Sequence, residues 1–221
     1  MKRQLVSVMV VVIIFLVTSS IFAGTIIPWG ESRYGLSAIP IGDDFIDIGG
    51  SAHAAFAVRA DGTLVAWGED SHTVGILNVP SGNDFIKVAG GIDHAIALRY
   101  DGSLVRWGQS GYGLSDMPTD NDFVNIGAGA HAAFAVRANG SLVAWGEDSH
   151  TMGILNVPSG NDFIMVSGGI DYCLALKLDG SLLMWGQSGY GLSNMPTDNA
   201  FINIGAIGSH AAFAVRSDGS L

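Results

Sequence analysis

Apolar and polar residues alternate along short stretches of the chain, and turn residues separate these stretches. Residues 85–89 alternate apolar with small or polar side chains, as a strand with one face on a core does. Further strands are predicted over His94–Arg99 and residues 103–107, and the Asp101-Gly102 pair between them predicts a type I′ hairpin turn. The pattern therefore predicts three antiparallel strands, and it leaves open a short fourth strand in the loop after Trp107.

This unit recurs five times along the chain. Trp-Gly pairs begin at Trp29, Trp67, Trp107, Trp145 and Trp185, so a shorter and a slightly longer spacing alternate. Residues 45–122 and 123–200 are identical at 60 of 78 positions, so the repeating element is a pair of units. One unit cannot bury both of its faces alone, and radial stacking leaves the fewest open strand edges. We therefore predict an all-β fold, a β-propeller of five units of about 40 residues each. A β-helix is the weaker alternative.

The two ends of the chain carry complementary parts of a unit. Residues 25–30 match a third strand without its first two, and residues 201–221 match two strands and a turn without their third. We expect the N-terminal strand to complete the last unit of the same chain and so close the ring. The alternative is that the reading frame is truncated within a longer propeller.

Residues 1–23 have the composition of a secretory signal peptide. A basic start, Met1-Lys2-Arg3, precedes an apolar run that ends in small residues at Ala23 and Gly24. This predicts a signal peptide at 1–23, a propeller domain at 24–221 and a secreted, periplasmic or cell-surface location. An uncleaved membrane anchor is the alternative, because the run approaches the length of a membrane span.

Composition narrows the class of protein further. Glycine accounts for 31 of 221 residues, and charged residues for 14%. Hydrophobic residues at 48% exclude disorder, and the absence of a three-residue glycine period excludes collagen. The net charge is −10, and removal of Lys2 and Arg3 with the signal peptide makes it −12. This acidic excess disfavours a nucleic acid partner.

The segment from Gly90 to Gly108 resembles the repeat of the regulator of chromosome condensation family. It carries Gly-Gly, a His three residues on, Asp-Gly-Ser-Leu-Val and Trp-Gly, and this pattern recurs across nearly the whole chain after the signal peptide. The short unit and the secretory signal most resemble the secreted β-lactamase inhibitory members. The resemblance implies a seven-bladed propeller that binds proteins through loops on one face, without catalysis or cofactor. Five units against seven leave the ring incomplete relative to the family.

The loops after the Trp-Gly pairs hold the candidate partner-binding residues. Exposed tyrosines between glycines suit a binding surface, although their rings have an alternative place between units. Two acidic loops, Glu-Asp-Ser-His, suit a partner contact, a divalent ion or plain solvent exposure. The predicted site comprises Tyr34, Tyr112, Tyr190, Glu69, Asp70, His72, Glu147, Asp148 and His150.

Other titratable groups have simpler interpretations. Histidines occupy one repeat position, with Tyr172 in the fifth copy, which favours a structural hydrogen bond over a metal ring; they are His53, His94, His131 and His210. Asp-rich segments before each Phe favour turns over calcium sites. Cys173 lies within a strand and is expected to be a buried small side chain. No residue is assigned to catalysis, a metal or a cofactor.

We therefore predict a secreted, non-catalytic module that binds another protein. The alternatives are a secreted carbohydrate-active enzyme and a cell-surface adhesin fragment on the same scaffold. An enzyme of that kind needs two carboxyl groups in distinct environments, whereas the repeats place equivalent groups in pairs.

Overall fold

The computed structural model of the chain describes residues 23–28, 33–148, 150–187, 189, 191–208 and 211–219. In this part of the chain, 14 strands form five antiparallel sheets, one for each predicted unit. The strands are β1 (Phe45–Gly50), β2 (Ala54–Arg59) and β3 (Leu64–Gly68) in sheet 1; β4 (Phe85–Gly90), β5 (His94–Arg99) and β6 (Leu104–Gly108) in sheet 2; β7 (Phe123–Ala128), β8 (Ala132–Arg137) and β9 (Leu142–Gly146) in sheet 3; β10 (Phe163–Gly168), β11 (Tyr172–Lys177) and β12 (Leu182–Gly186) in sheet 4; β13 (Phe201–Ile207) and β14 (Ala211–Arg216) in sheet 5. Short 3₁₀ helices at Arg33–Gly35, Leu114–Asp116 and Leu192–Asn194 interrupt three of the loops.

The hairpin between the second and third strands differs from the predicted type. Gly102 donates its N–H to the carbonyl of Arg99 at 3.0 Å, and Gly102 alone in this turn has a positive φ, +83°. That bond places Tyr100 and Asp101 at the centre of the turn, and neither has the positive φ that a type I′ turn needs at both central residues, so that prediction is wrong. The carboxylate of Asp101 accepts hydrogen bonds from the N–H and Oγ of Ser103, at 2.9 and 2.7 Å. These bonds favour a turn with a single left-handed residue.

The five sheets are arranged radially around one axis. Their first strands, β1, β4, β7, β10 and β13, all line a central cavity of about 630 Å³. Each first strand packs against the first strand of the next sheet, whereas β13 and β1 have no comparable contact among the described residues. The prediction of an all-β propeller of five units is confirmed, and in the described part of the chain the propeller is an open arc.

Neighbouring sheets are held together by interlocking aromatic side chains. Phe56 of sheet 1 meets Trp107 of sheet 2 edge-on, with ring centroids 5.4 Å apart, and Phe134 meets Trp185 in the same way at 6.2 Å. The indole N–H of Trp107 donates to the carbonyl of Ile76 at 2.8 Å, which fixes the loop after sheet 1 against sheet 2. Burial of a Phe side chain contributes roughly 1.5–3 kcal/mol, so each interface is a substantial part of the core.

The N-terminal segment lies where the third strand of a preceding sheet would lie. The N–H and carbonyl of Gly24 exchange hydrogen bonds with those of Phe45, at 2.9 and 3.1 Å. In the next unit the N–H of Phe85 donates in the same way to the carbonyl of Gly62, the hairpin glycine of sheet 1, at 3.0 Å. Ile26 also packs against Phe45, Ala57 and Trp67, on the face of sheet 1 that points away from sheet 2. Gly24 therefore makes the contact of a hairpin glycine, whereas residues 25–28 are not assigned to a strand, so the third strand here stays a prediction.

Identical sequences along the arc have different environments. Strands β2, β8 and β14 all read Ala-Ala-Phe-Ala-Val-Arg, yet Phe134 in β8 is 0% exposed and Phe213 in β14 is 59% exposed. In the described residues β14 pairs with β13 alone. A cleft of about 490 Å³ lies beside β14, lined by Leu174, Leu182, Leu192, Met195 and Phe201. The equivalent residues one unit pair earlier surround Trp145, the tryptophan on the third strand of sheet 3. The cleft therefore lies where the third-strand tryptophan of sheet 5 would lie.

Among the described residues, none belongs to a helix of the length and hydropathy needed to cross a membrane. The predicted signal peptide, residues 1–23, lies outside the described residues except for Ala23.

Candidate functional site

The propeller has two chemically different ends. The turn end carries the hairpins between second and third strands and the segments that precede each first strand. The loop end carries the turns between first and second strands and the long loops after each third strand. The two kinds of connection are in contact at this end. For example, the N–H of Glu69, just after β3, donates to the carbonyl of His53, just before β2, at 2.8 Å.

At the turn end, the aspartates that precede each Phe are bound to basic side chains. Asp84 accepts a hydrogen bond from the Arg99 guanidinium at 2.5 Å, and that guanidinium lies 4.5 Å from the centre of the Phe85 ring. The same arrangement recurs in three other sheets as Arg59 with Asp44, Arg137 with Asp122, and Lys177 with Asp162. In sheet 5 Ala200 replaces this aspartate, and Arg216 binds Asp198, two residues earlier. These carboxylates are therefore part of the scaffold in every unit.

Two of the predicted tyrosines lie at the loop end in an unusual backbone conformation. Tyr34 and Tyr112 have φ of +62° and +57°, a region that side chains other than Gly occupy at a cost of about 1 kcal/mol or more. Their rings contact the imidazoles of His53 and His131, with centroids 4.2 and 4.3 Å apart, and are 40% and 47% exposed. Each tyrosine thus bridges two units and still faces solvent. Tyr190, the third, lies outside the described residues.

Each tyrosine begins a row of side chains that crosses to the next sheet. In the first row, Nδ1 of His53 lies 2.7 Å from Oγ of Ser71, and the ring of His72 stands edge-on to that of His53 at 6.3 Å. Nδ1 of His72 lies 2.7 Å from a carboxylate oxygen of Asp93. The first row is Tyr34, His53, His72 and Asp93. The second comprises the equivalent residues Tyr112, His131, His150 and Asp171; Tyr112 contacts His131 and His150 lies 2.5 Å from Asp171, whereas the contact between the two histidine rings is described for the first row alone.

Each acidic loop holds one aspartate that is bound to the loop backbone and one glutamate that is exposed. Both carboxylate oxygens of Asp70 accept backbone N–H bonds, from Val74 at 3.0 Å and Gly75 at 2.8 Å. Asp148 does the same for the backbone of Met152 and Gly153. The structure thus shows that these aspartates shape their loops, and their contact with a partner stays a prediction. The glutamates at the same loops, Glu69 and Glu147, are exposed.

The electrostatic environment of the histidines depends on their depth. The Asp171 carboxylate beside His150 raises the pKa of that exposed imidazole. Burial lowers the pKa of His94 to about 4, because the 2% exposed ring cannot hydrate a positive charge. Burial also raises the pKa of the Cys173 thiol, which is fully buried as predicted.

The shared histidine position has two local structures. His94 and Tyr172 are buried beneath Gly91 and Gly169, where a Cβ would come within 2.2 Å of the ring. Tyr172 donates its hydroxyl to the carbonyl of Ala211 in the next sheet, whereas Nε2 of His94 has no hydrogen-bond partner among the described residues. The structural hydrogen bond predicted at this position is thus made by Tyr172 to the next sheet and by His53 to Ser71. In the described part of the chain, no three His, Cys, Asp or Glu side chains are placed to hold a metal ion.

Two members of the site, Asp93 and Asp171, are not predicted from the sequence, nor is the stacking of Tyr on His. The His–Asp contacts join residues 21 positions apart, in consecutive units. The sequence does hold one signal for these two aspartates. Asp93 and Asp171 occur in only one unit of each pair, as the other loop residues of the site do.

Comparison with known proteins places this fold. Neither the protein-family models nor the curated proteins give a match. Among solved structures, the ectodomain of the receptor kinase CR4 from Physcomitrella patens has a TM-score of 0.67 and 20% identity, over 87% of this chain and 53% of that one. Prp20p from Saccharomyces cerevisiae has a TM-score of 0.64 and 16% identity, over 79% and 56%. Human WBSCR16 has a TM-score of 0.64 and 15% identity, over 82% and 61%.

This chain thus spans little more than half the length of the structures it matches. Yeast Prp20 is itself named RCC1 in a second matching structure, so the structural likeness agrees with the Gly-Gly, Asp-Gly and Trp-Gly repeat pattern. The finer resemblance to secreted β-lactamase inhibitory members stays a prediction. In fold, the chain is an RCC1-like repeat β-propeller with an incomplete ring.

Proposed function

We propose that this chain is a non-catalytic propeller that binds another protein through its loop end, outside the cytoplasm. The carrying observation is the placement of Tyr34 and Tyr112, which are half exposed at positive φ at two equivalent positions of the repeat. Glycine would adopt this backbone without strain, so the tyrosine side chains favour a role beyond chain folding. Tyrosine offers a large rigid contact area together with a hydroxyl, and it is enriched among residues that dominate binding energy.

Two further observations support binding over catalysis. The loop-end carboxylates occur as equivalent pairs, since Asp70 and Asp148 have the same backbone contacts, whereas a glycosidase needs two carboxyl groups in different environments. Prp20p, one of the similar structures, is described by its binding to Gsp1p and histones, and the yeast protein was also solved bound to Kap60. A protein partner is therefore the first choice for this chain.

The test is site-specific photocrosslinking. A benzoyl-phenylalanine replaces Tyr112 at the loop end, and in the control chain it replaces Tyr100, which is 84% exposed at the turn end. Both chains are exposed to the extracellular fraction of the source cells. We expect one protein to be crosslinked from position 112 and not from position 100. Crosslinks of equal yield and identity from both positions would contradict a loop-end site.

The location outside the cytoplasm rests on residues 1–23. We expect the protein isolated from its cells to begin at Gly24 and to occur in the extracellular or periplasmic fraction, as cleavage after Ala23 requires. Edman sequencing of the isolated protein distinguishes this from an anchor. A chain that still begins at Met1 and sediments with membranes would contradict secretion.

We further propose that the N-terminal strand completes sheet 5 and closes the ring within one chain. Three features of the described arc would be covered by this single step: the unpaired edge of β14, the cleft beside it and the 59% exposed Phe213. At the other end of the arc Ile48 is 56% exposed, whereas its equivalents Val88 and Val166 are buried. The Gly24–Phe45 hydrogen bonds already have the geometry found between complete units.

Closure is tested by comparing two phenylalanines in identical strands. Phe134→Ala is expected to destabilise the protein by about 3–5 kcal/mol, as for other buried Phe side chains. If sheet 5 is completed, Phe213→Ala has a similar effect on the free energy of unfolding in urea. A change below about 1 kcal/mol for Phe213→Ala would show that this face stays open.

A further inference from the structure

The two ends of the propeller differ most in how their carboxylates are balanced. At the turn end, the arginines and Lys177 each lie within 3.1 Å of an aspartate. At the loop end, the described carboxylates of Glu69, Glu147, Asp93 and Asp171 form no ion pair with a described lysine or arginine. The imidazoles of His72 and His150 lie beside the two aspartates, and Arg106 on β6 adds a positive charge near His94. The described carboxylates of the loop end therefore outnumber its described basic side chains.

This charge is combined with aromatic surface. Tyr112 exposes 47% of its surface beside His131, and the ring of a tyrosine attracts a cation placed over its face. Two carboxylates accompany this ring: Glu147, whose backbone N–H donates to the carbonyl of His131 at 2.9 Å, and Asp171 at the end of the same row. A flexible side chain that ends in an ammonium or guanidinium group fits such a surface, whereas a carboxylate or phosphate would be repelled.

The surface also occurs twice. Tyr34, His53, Glu69, His72 and Asp93 each recur one unit pair further along the chain as the same residue type. Two of the contacts recur as well: the Tyr–His ring centroids lie 4.2 and 4.3 Å apart, and the His–Asp distances are 2.7 and 2.5 Å. Two equal sites on one rigid face increase the affinity for a partner that occupies both, through a high effective concentration.

We propose that the two rows, with Glu69 and Glu147, are equivalent docking sites for lysine- or arginine-bearing segments of one partner protein. This inference rests on the proposed function and names the chemistry of its partner. Electrostatic complementarity of this kind sets specificity and association rate more than final affinity.

The probe is a short peptide with one arginine and two lysines among glycines and serines, titrated calorimetrically into the full chain near physiological salt. We expect two equivalent sites. Glu69→Gln should leave one site at unchanged affinity, and the Glu69→Gln/Glu147→Gln double variant should bind at least about tenfold more weakly. Neither glutamate forms a described side-chain contact, so both variants are expected to fold.

Asp43→Asn is the matched control, because it removes one negative charge at an exposed position of the turn end. It should leave both sites unchanged. Equal weakening by Asp43→Asn and Glu69→Gln would overturn the inference and show a general effect of net charge, as would equal binding of a glutamate-containing peptide.

The outcome is separable from the proposed function. If the peptide does not bind but position 112 still crosslinks a protein, the basic partner is wrong and the loop-end site stands. If the peptide binds at two sites but no protein crosslinks from position 112, the charge preference stands and the proposed function fails.

Discussion

The turn end and the loop end are built from the same repeats but are repeated with different periods. The turn end repeats in every unit: a basic side chain lies over the Phe ring that begins the first strand and forms an ion pair with an aspartate before it. Arg99, for example, lies over Phe85 and pairs with Asp84. The loop end repeats every second unit, and its Tyr–His–His–Asp rows cross from one sheet to the next. Uniform repetition is what a scaffold needs. Alternation, exposed aromatic rings and unbalanced charge are typical of a recognition surface.

The largest expected effect separates the two ends by binding. The Tyr34→Ala/Tyr112→Ala double variant should weaken partner binding by roughly a thousandfold, because each tyrosine of a binding centre contributes about 2 kcal/mol. Its unfolding free energy should change little, since both rings are half exposed. Titration with the crosslinked partner, once purified, measures the affinity, and Tyr100→Ala at the turn end is the control. Unfolding of the double variant at ordinary temperature would instead make these tyrosines packing residues.

The second effect concerns the buried side of the loop end. The folded protein keeps His94 neutral, with a pKa of about 4, whereas the unfolded chain binds a proton below about pH 6.5. Acidification from pH 6.5 to 4 therefore favours the unfolded state, and the loss of stability from this group amounts to about 3 kcal/mol. Above pH 6.5 the group has no effect on stability.

The natural control for His94 is its equivalent, Tyr172. The His94→Tyr variant should lose this part of the acid sensitivity. The hydroxyl of the introduced tyrosine would donate to the carbonyl of Ala132, as the hydroxyl of Tyr172 donates to that of Ala211. Urea unfolding at pH 7, 6, 5 and 4 measures both effects. If the two chains lose stability in parallel as the pH falls, His94 is not the sensor.

The smallest effect sharpens the role of the turn end. Arg137→Met should lower the unfolding free energy by about 1 kcal/mol, because it removes partly exposed ion pairs with Asp120 and Asp122 and the contact with the Phe123 ring. Partner affinity should be unchanged. Reduced partner affinity in Arg137→Met would place binding at the turn end.

The sequence predicted the scaffold better than the site, for a physical reason. Strand limits such as His94–Arg99 follow from local alternation and from Gly and Asp-Gly turns, which act within a few residues. The burial of Phe134 and the exposure of Phe213 follow from neighbouring sheets, so identical hexapeptides could not distinguish them. The pairing of His72 with Asp93 likewise depends on how consecutive units pack.

The hairpin shows the same limit at short range. Asp101-Gly102 predicted positive φ at both residues, but the Asp101 carboxylate binds Ser103 and only Gly102 is left-handed. The bond from the Gly102 N–H to the Arg99 carbonyl makes Tyr100 and Asp101 the central residues of the turn. Predictions from dipeptides therefore locate the hairpins correctly without determining their geometry.

Amide hydrogen exchange of the partner complex tests the central claim most directly. We predict that partner binding slows exchange at the loop end, in residues 69–75, 109–113 and 147–153. We predict no change in the hairpins at the turn end, residues 60–63, 100–103 and 138–141. Slower exchange confined to those hairpins, with the loops unaffected, would contradict a loop-end binding surface.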